Sequence, residues 1–475
     1  MKLTKLFFPL IFLIPNLIFT QNQKFETPFE QNSNSTPTYH EVIDFYKKLA
    51  AEYDQLELKE WGMTDAGYPL HTAVLSLDKD FNSSSLKLKN KQVFFINNAI
   101  HPGEPCGVDA TMMLYRNVLQ STDLQNVIKD IVLVAIPIYN IGGALNRGSH
   151  SRTNQNGPEA YGFRGNAKNL DLNRDFIKCD SKNAQTFNQI FTHWRPDVFV
   201  DNHTSNGADY QYTMTLIATQ KDKLDPHLSE YMNSEMLPRL YNDMEAKKWE
   251  MTPYVYARNI PDNGIAGFMD SPRYSSGYAT LHNCISFISE AHMLKPYKNR
   301  VLGTYSLMES IIETIHDDKE KIAEARQKAI QNTMEKEEFD LNWTLDREDI
   351  DSFLFKGYEA KYKPSKVTGL DRLWYDHDAP FEKYIPFLNS YKSTVTVSKP
   401  VAYIFPKAYS DVIERLKWNG VRIQKLKANK IVEAEFYYIR DFKTRDAYEG
   451  HYLHSGVEVE KETMNWQFYK GDYVI

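Results

Sequence analysis

Short apolar runs alternate with segments of helical spacing over the first two thirds of the chain. An apolar run of strand length that is bounded by polar residues predicts a buried strand. Such runs occur at Leu70–Leu75, Gln92–Ile100, Ile131–Ile138, Asp197–Val200 and Ile285–Ile288. Apolar positions three or four residues apart predict helices over Tyr39–Tyr53 and Val108–Leu119, and a charged helix over Ile311–Glu335. This alternation predicts an α/β domain.

Three chemically active residues come at the ends of predicted strands. His101 follows Gln92–Ile100 directly, His203 comes shortly after Asp197–Val200, and Glu290 comes shortly after Ile285–Ile288. Ligands of open α/β sheets bind at the carboxyl ends of the strands. Structural histidines have no reason to fall there repeatedly, so the pattern favours a functional site.

His101 and Glu104 lie three residues apart on a turn opened by Pro102-Gly103. That spacing alone is common, and a structural histidine would be the simpler interpretation. Together with His203, however, the two residues make a His2Glu set, and catalytic zinc takes three protein ligands and keeps a fourth position for water. Glu290, a carboxylate at the end of an apolar strand, is expected to have a raised pKa and to serve as the base on that water.

The segment Asp171-Leu172-Asn173-Arg174-Asp175 places two acids, an amide and a guanidinium within five residues. It is either a surface turn with a local ion pair or a clamp for an anion, since arginine and asparagine can hold a carboxylate through directed hydrogen bonds. Arg152 lies in a Gly- and Asn-rich loop and, taken alone, would be a surface residue.

With these motifs in this order, residues 36–320 resemble the zinc carboxypeptidases of the carboxypeptidase A type, the M14 metallopeptidases. The resemblance implies a mixed, eight-stranded sheet with helices on both faces. It implies that one zinc ion is held by His101, Glu104 and His203, and that Glu290 is the general base.

The resemblance also implies roles for the remaining motif residues. Asn173 and Arg174 match the pair that binds the substrate's terminal carboxylate, and Arg152 matches the arginine that stabilises the oxyanion. Asp171 matches the carboxylate that orients the first zinc histidine.

Two segments depart from the family pattern. The family usually has an Asn-Pro-Asp-Gly loop where this chain reads Asn140-Ile141-Gly142-Gly143. The family's mobile tyrosine has two candidates here, Tyr274 and Tyr278, both nearer to Glu290 than expected. Tyr274 is the preferred candidate, and the Ser-Gly content around it suits a movable lid.

The ends of the chain predict further units. Lys2 and Lys5 precede an apolar segment, Leu6–Phe19, of the length of a signal-peptide core, so residues 1–20 are predicted to direct export to the periplasm or the exterior. An uncleaved membrane anchor is the alternative. Residues 21–36 are polar and predict a linker, residues 37–335 the catalytic domain, and residues 343–475 a smaller C-terminal mixed α/β domain of unknown role.

Composition and charge limit the classes of binding partner that the sequence predicts. The chain of 475 residues has a net charge of −6, so it lacks the basic footprint of a nucleic-acid-binding protein. No second segment is long enough to span a membrane after signal removal. The three cysteines, an odd number, are too few for a disulfide framework and are expected to be small buried residues near the site.

These observations predict an exported zinc metallocarboxypeptidase whose substrate is a peptide, or a peptide-like molecule, with a free carboxylate. Two alternatives stay open. The same site could hydrolyse an amide in a peptidoglycan stem peptide or an acylated amino acid. A binding module without turnover is a different class, but its usual sign is the loss of a ligand or of the base, and the sequence keeps both.

Overall fold

The computed structural model describes residues 25–257 and 259–475. The predicted signal peptide, residues 1–20, lies outside these residues. The strands of the catalytic domain are β1 (Leu56–Met63), β2 (Pro69–Leu75), β3 (Gln92–Asn97), β4 (Ile131–Ile136), β5 (Val198–His203), β6 (Met214–Ala218), β7 (Met251–Pro253), β8 (Ile265–Ala266) and β9 (Ile285–Ala291).

Two helices precede β1, and the others fall between these strands or after them. They are α1 (Pro28–Gln31), α2 (Tyr39–Glu52), α3 (Ser83–Leu88), α4 (Cys106–Gln120), α5 (Thr122–Ile128), α6 (Ile141–Leu145), α7 (Lys182–Trp194), α8 (Pro226–Tyr231), α9 (Leu237–Ala246), α10 (Ser275–Thr280), α11 (Tyr297–Glu335) and α12 (Ser410–Trp418).

The central sheet has eight strands in the order β1-β2-β4-β3-β5-β9-β6-β7. Its middle strands β4, β3, β5 and β9 run parallel, while β1, β2 and the β9–β6 pair are antiparallel. Helices α4 and α11 pack together on one side, and α7 and α10 contact other parts of the sheet. The expected mixed sheet with helices is confirmed.

The central strands form because they carry continuous apolar runs that are buried along their whole length. All six residues of β3 and of β4 are buried, as suits strands covered on both faces. The edge strand β1 reads LELKEWGM and is half-exposed, and the sequence analysis did not detect it. The edge strands were missed because their apolar signal is weaker.

Helix α11 is longer than its charged sequence suggested. It starts at Tyr297, fourteen residues before the predicted Ile311, and Ile311, Ile315, Ile322 and Ala329 are buried along it. Most of its charged residues face solvent, as on an amphipathic helix, whereas Arg300 and Arg326 are buried. The three cysteines are buried and unpaired with one another, as expected.

The described part of the predicted linker, from Phe25 onward, is packed onto the catalytic domain. Thr27 caps helix α1 through a capping box. Phe25 and Phe29 are almost fully buried, and Thr36 donates a hydrogen bond to the Asp109 carboxylate. Because the segment is mostly polar, the sequence analysis did not identify the two phenylalanines as buried residues. Their burial removes apolar surface from water.

Asp109 is a buried carboxyl group whose replacement tests this packing. Thr36 and Tyr297 both donate to Oδ2, and Oδ1 finds no partner within the described chain. Burial raises its pKa to about 7. As the pH rises from about 4 to 7, the carboxyl ionises freely only in the unfolded chain, so this group lowers stability progressively over that range.

Asp109→Asn is therefore expected to gain stability relative to the wild type as the pH rises, by up to about 4 kcal/mol between pH 4 and 7. Urea unfolding of both proteins at several pH values measures the difference. The exposed Asp123→Asn is the matched control. A difference between Asp109→Asn and wild type that is independent of pH would contradict the account of this carboxyl group.

The chain after α11 adds further sheets. Its strands are β10 (Glu338–Leu345), β11 (Asp351–Pro364), β12 (Asp371–Leu388), β13 (Tyr391–Ser398), β14 (Ile404–Phe405), β15 (Gln424–Lys425), β16 (Lys430–Tyr448), β17 (His451–Phe468) and β18 (Tyr473–Val474). Strands β11 and β12 form one long hairpin, and β16 and β17 form another.

Residues 343–475 contain strands and the helix α12. Phe355 and Ile385 of the β11–β12 hairpin bury against Tyr210, Tyr212 and Ile265 of the catalytic domain. This hairpin therefore buries one face against the neighbouring unit, and the division into two domains stays a prediction. Within residues 25–257 and 259–475, no helix has the length and apolarity needed to cross a bilayer.

Candidate active site

The carboxyl ends of the parallel strands bring His101, His203 and Glu290 to one edge of the sheet. Strand β3 leads to His101, β5 ends at His203, and β9 pairs with β5 so that His203 and Glu290 are register partners. Since residues paired across a ladder point to the same face, the second histidine and the glutamate lie side by side. His101 and Glu290, which are 189 positions apart in the sequence, therefore lie at one site.

Glu104 joins the two histidines into a possible metal site. Its Oε1 lies 3.2 Å from His101 Nδ1 and its Oε2 lies 3.1 Å from His203 Nδ1, and one ligand atom of each residue lies within 4.8 Å of the others. Ligands bound tetrahedrally at about 2.0 Å are roughly 3.3 Å apart. The spacing and the donor types therefore fit a His2Glu metal site.

Each histidine is oriented by a carboxylate behind it. His101 Nε2 lies 3.0 Å from Asp171 Oδ1, and His203 Nε2 lies 3.0 Å from Asp201 Oδ2. A proton on Nε2 directs the Nδ1 lone pair toward the metal position, as in other metal sites of this kind. Asp201 was not assigned this role from the sequence, although its position two residues before His203 on a strand puts both side chains on one face.

The charges around the cluster are strongly coupled. Burial opposes ionisation of Glu104, but Arg152 and His101 hold its pKa well below its usual range. Burial likewise opposes the charged form of His203, yet Asp201 and Glu104 raise its pKa well above normal. A cluster that favours positive charge between its carboxylates is electrostatically suited to a cation.

Glu290 borders the same cavity in a less polar environment. Burial is the main cause that raises its pKa, to about 8, and its Oε2 atom has no hydrogen-bond partner within the described residues. A carboxylate with a raised pKa and a free oxygen is able to accept a proton at neutral pH. The sequence expectation of a raised pKa agrees with this environment.

Two arginines, rather than the single one expected, approach the His2Glu cluster. Arg152 donates to Glu104 Oε1 at 2.5 Å and to the Thr204 carbonyl at 2.8 Å, and its side chain is 14% exposed. Arg164 is 47% exposed, and its Nη1 lies 3.3 Å from His101 Nδ1. The sequence analysis missed Arg164, because nothing in the loop distinguishes one arginine from the other.

Arg164 is also tied to the predicted carboxylate behind His101. Its Nε and Nη2 donate to Asp171 Oδ2 at 3.0 and 2.8 Å. Asn140 Nδ2 donates to the Arg164 carbonyl and to the Ile100 carbonyl. The altered turn Asn140-Ile141-Gly142-Gly143 therefore supports the backbone on both sides of the cluster.

Asn173 and Arg174 lie in a short turn on the wall of the cavity. The backbone N–H of Asn173 donates a hydrogen bond to Asp171 Oδ1 at 2.9 Å. The side-chain Oδ1 of Asn173 is buried without a partner in the described chain. The Arg174 guanidinium lies 4.6 Å from the centre of the Tyr274 ring, a cation–π contact. Tyr274 also borders the cavity, whereas Tyr278 is fully buried among Phe176, Phe187 and Phe191.

The cavity measures about 920 Å³ and contains all the predicted metal and substrate residues together. Among the described residues, Glu104 and Glu290 are the only carboxylates in its lining, and three arginines, Arg152, Arg164 and Arg174, face it. Its remaining wall includes the apolar or aromatic residues Ile217, Tyr254, Phe268, Ile288, Met293 and Leu294. Most of these wall residues lie outside the sequence motifs, so motif spacing alone could not identify them.

Comparisons with known proteins show which chains this one is similar to. Residues 42–261 match the zinc carboxypeptidase family, Peptidase_M14. Carboxypeptidase 2 of Trichophyton rubrum is 20% identical over 417 residues, which cover 83% of this chain and 71% of the fungal protein. A probable carboxypeptidase 2 of Trichophyton verrucosum (strain HKI 0517) is 20% identical over 468 residues, 94% of this chain and 83% of its own.

A solved structure, the carboxypeptidase A of Helicoverpa armigera, is similar over 66% of this chain and 81% of its own, with 15% identity and a TM-score of 0.45. The family match and the fungal relatives define the class: the chain is a metallocarboxypeptidase, a hydrolase. The match of residues 42–261 to the zinc carboxypeptidase family agrees with the resemblance seen in the motifs of the chain. The family match ends at residue 261, before Tyr274 and Glu290.

Proposed function

We propose that the protein is an exported zinc metallocarboxypeptidase that removes the C-terminal residue of a peptide with a free carboxylate. The observation that carries this proposal is the single cavity in which a His2Glu cluster, the raised-pKa carboxyl group of Glu290 and the Asn173-Arg174 pair meet. A metal site, a base and an anion clamp are the three parts that this reaction needs.

His101, Glu104 and His203 would hold one zinc ion through the two Nδ1 atoms and the carboxylate. The donor set fits zinc, since imidazole nitrogens and one carboxylate are its common ligands in hydrolases. When bound, zinc supplies a Lewis acid that polarises the scissile carbonyl and lowers the pKa of water. Asp171 and Asp201 keep the two histidines in the tautomer that presents Nδ1.

Glu290 is the proposed general base. Its unpartnered Oε2 accepts a proton from the attacking water and then returns the proton to the nitrogen of the leaving amine. Its raised pKa suits both steps, because a base whose pKa lies near the working pH can also act as an acid.

Asn173 and Arg174 are proposed to bind the terminal carboxylate of the substrate. The guanidinium can donate two parallel hydrogen bonds to a carboxylate, and the Asn173 amide group can add one more. Tyr274, which stacks on Arg174, stands where it can cover a bound C-terminal residue. This arrangement limits the enzyme to the last peptide bond.

Arg152 and Arg164 are the candidates for stabilising the oxyanion. Arg152 carries three hydrogen bonds, to Glu104, Gln155 and Thr204, which fix it beneath the cluster. Arg164 is more exposed and lies next to His101. We therefore assign Arg152 and Arg164 jointly to the oxyanion, in place of Arg152 alone, because preorganised donors beside a developing negative charge stabilise it.

A comparison of peptides with free and amidated C-termini tests the proposal. The zinc-loaded protein is expected to release single residues from free C-termini and about a hundredfold fewer from amides, since the clamp then loses its ionic partner. Neutral, apolar end residues should be preferred over basic ones, because the cavity wall offers them no further carboxylate.

Arg174→Gln should remove most of this discrimination by raising KM for free C-termini, while the exposed Arg372→Gln on β12 serves as the control. Release of internal fragments, or equal cleavage of free and amidated ends, would contradict exopeptidase action. Cleavage of cell-wall stem peptides but not of ordinary peptides would favour the amidase alternative. Mass spectrometry of the exported chain tests removal of residues 1–20.

A further inference from the structure

The β16–β17 hairpin is the part of the chain that the catalytic mechanism leaves unexplained. Its strands have 19 and 18 residues, so the arm is roughly 60 Å long at about 3.3 Å per residue. Most of its side chains are exposed. A two-stranded hairpin is marginally stable in water by itself, so the contacts at its ends are expected to fix its position.

The tip of this arm reaches the catalytic domain at the turn formed by Tyr448, Glu449, Gly450 and His451. Glu449 Oε2 accepts a hydrogen bond from the Asp171 amide at 2.7 Å. His451 Nε2 lies 2.7 Å from Asp180 Oδ2. Register irregularities at Ile439–Asp441, Asp441–Lys443 and Thr444–Ala447 bend and twist the outer half of the arm.

A third contact joins the tip to the segment that carries Tyr274. The Arg273 guanidinium lies 5.5 Å from the centre of the Tyr448 ring, and Arg273 directly precedes Tyr274. The backbone of the Arg273 segment also accepts hydrogen bonds from Phe176 and Ile177. The tip therefore contacts both the segment that carries the carboxylate clamp and the segment that carries the lid tyrosine.

Asp171, the residue that Glu449 contacts, connects several parts of the site. Its Oδ1 lies 3.0 Å from His101 Nε2 and accepts the Asn173 amide. Its Oδ2 accepts two hydrogen bonds from Arg164. Its own amide is held only by Glu449 among the described hydrogen bonds. A shift of this one residue would move a metal ligand, the clamp and an arginine together.

The turn itself indicates that the length of the Glu449 side chain matters. Glu449 has φ +50° and Gly450 has φ +77°, the left-handed pair of a type I′ hairpin turn. Asparagine is favoured at the first of these positions, whereas a glutamate there costs conformational free energy. Asparagine, however, has a side chain one methylene shorter than glutamate.

We propose that the β16–β17 arm is part of the substrate-binding machinery and that Glu449 is a positioning residue, which holds Asp171 so that Asn173 and Arg174 meet the substrate carboxylate. This rests on the proposed function of that pair. Loss of the Glu449 acceptor loosens the clamp. For substrates with a free C-terminal carboxylate, this raises KM more than it lowers kcat. Glu290, the proposed base, makes no hydrogen bond to the tip among the described residues.

Kinetics of four variants test this role. Glu449→Ala should raise KM for free C-terminal peptides about tenfold, as expected for a lost hydrogen bond to a charged group. Glu449→Gln, which keeps an acceptor oxygen at the same reach, should stay within about threefold of wild type. Glu449→Asn should leave or raise the melting temperature and still raise KM, and the exposed Glu458→Ala on the same arm should change nothing.

An activity-independent readout separates this proposal from the proposed reaction. Hydrogen exchange of the Asp171 amide should become at least tenfold faster in Glu449→Ala, and the visible spectrum of the cobalt-substituted protein should shift through His101. Unchanged exchange and KM in Glu449→Ala, or a KM in Glu449→Asn equal to wild type, would overturn the positioning role. If the wild-type protein cleaves no peptide, but exchange of the Asp171 amide is still faster in Glu449→Ala, the proposed reaction is refuted and the contact between Glu449 and Asp171 is retained.

Discussion

Replacing Glu290 with glutamine is expected to lower kcat by about a thousandfold or more, because it removes the proton acceptor on which general-base catalysis depends. Glutamine has nearly the same shape, and Glu290 Oε2 has no partner in the described chain that the change would strip of a bond. The protein should therefore fold as stably as wild type, or more so, since burial disfavours the ionised carboxyl group of Glu290.

Steady-state kinetics on free C-terminal peptides, with zinc content measured on the same samples, check this prediction. The variant should keep one equivalent of metal and most of its affinity for substrate, so the loss should appear in kcat rather than in KM. Glu159→Gln, an exposed neighbour of the Arg152 loop, is the matched control. A Glu290→Gln enzyme with more than a tenth of the wild-type kcat would exclude Glu290 as the base.

Removing a metal ligand should have an effect at least as large. His203→Ala is expected to abolish stoichiometric zinc binding and to reduce activity more than a thousandfold, because the metal provides both carbonyl polarisation and water activation in this class of site. Treatment of the wild type with a chelator should give the same loss, and one equivalent of zinc should restore activity.

The orienting carboxylates predict a graded series. Asp201→Asn is expected to weaken zinc binding by about 10- to 100-fold, as in other sites whose outer hydrogen bonds are lost, while the exposed His227→Ala should bind zinc like wild type. Competition with a metal-sensitive dye measures the zinc affinities of the wild type and of the three variants. Full activity of chelated protein, or unchanged zinc affinity in His203→Ala, would show that the His2Glu cluster is not the catalytic metal site.

Much of the sheet was predictable because its signal is local. The predicted runs Gln92–Ile100 and Ile131–Ile138 coincide with β3 and β4 to within a few residues. A strand that is buried on both faces needs continuous apolar residues, and six consecutive residues are enough to show this pattern. The edge strand β1 is half-exposed, and β6 and β7 have only five and three residues, so their sequences carry less of this pattern.

Other features depended on distant partners. The sequence offered Tyr274 and Tyr278 as lid candidates, and the fold places one at the cavity and packs the other beneath Phe187 and Phe191. It offered Arg152, while the fold adds Arg164 beside His101. These choices depend on which loops meet, and neither the spacing nor the type of the residues encodes that.

The sequence by itself indicated the resemblance to zinc carboxypeptidases, the α/β sheet and the three residues that the fold brings together as a possible metal site, because strand ends and short motifs are set by neighbouring positions. Only the tertiary structure decided how Asp201 supports His203, how two arginines share the cluster, and that Glu449 reaches Asp171 across 278 positions of the chain. Such contacts arise when whole elements pack together, so no local pattern of apolar and polar residues records them.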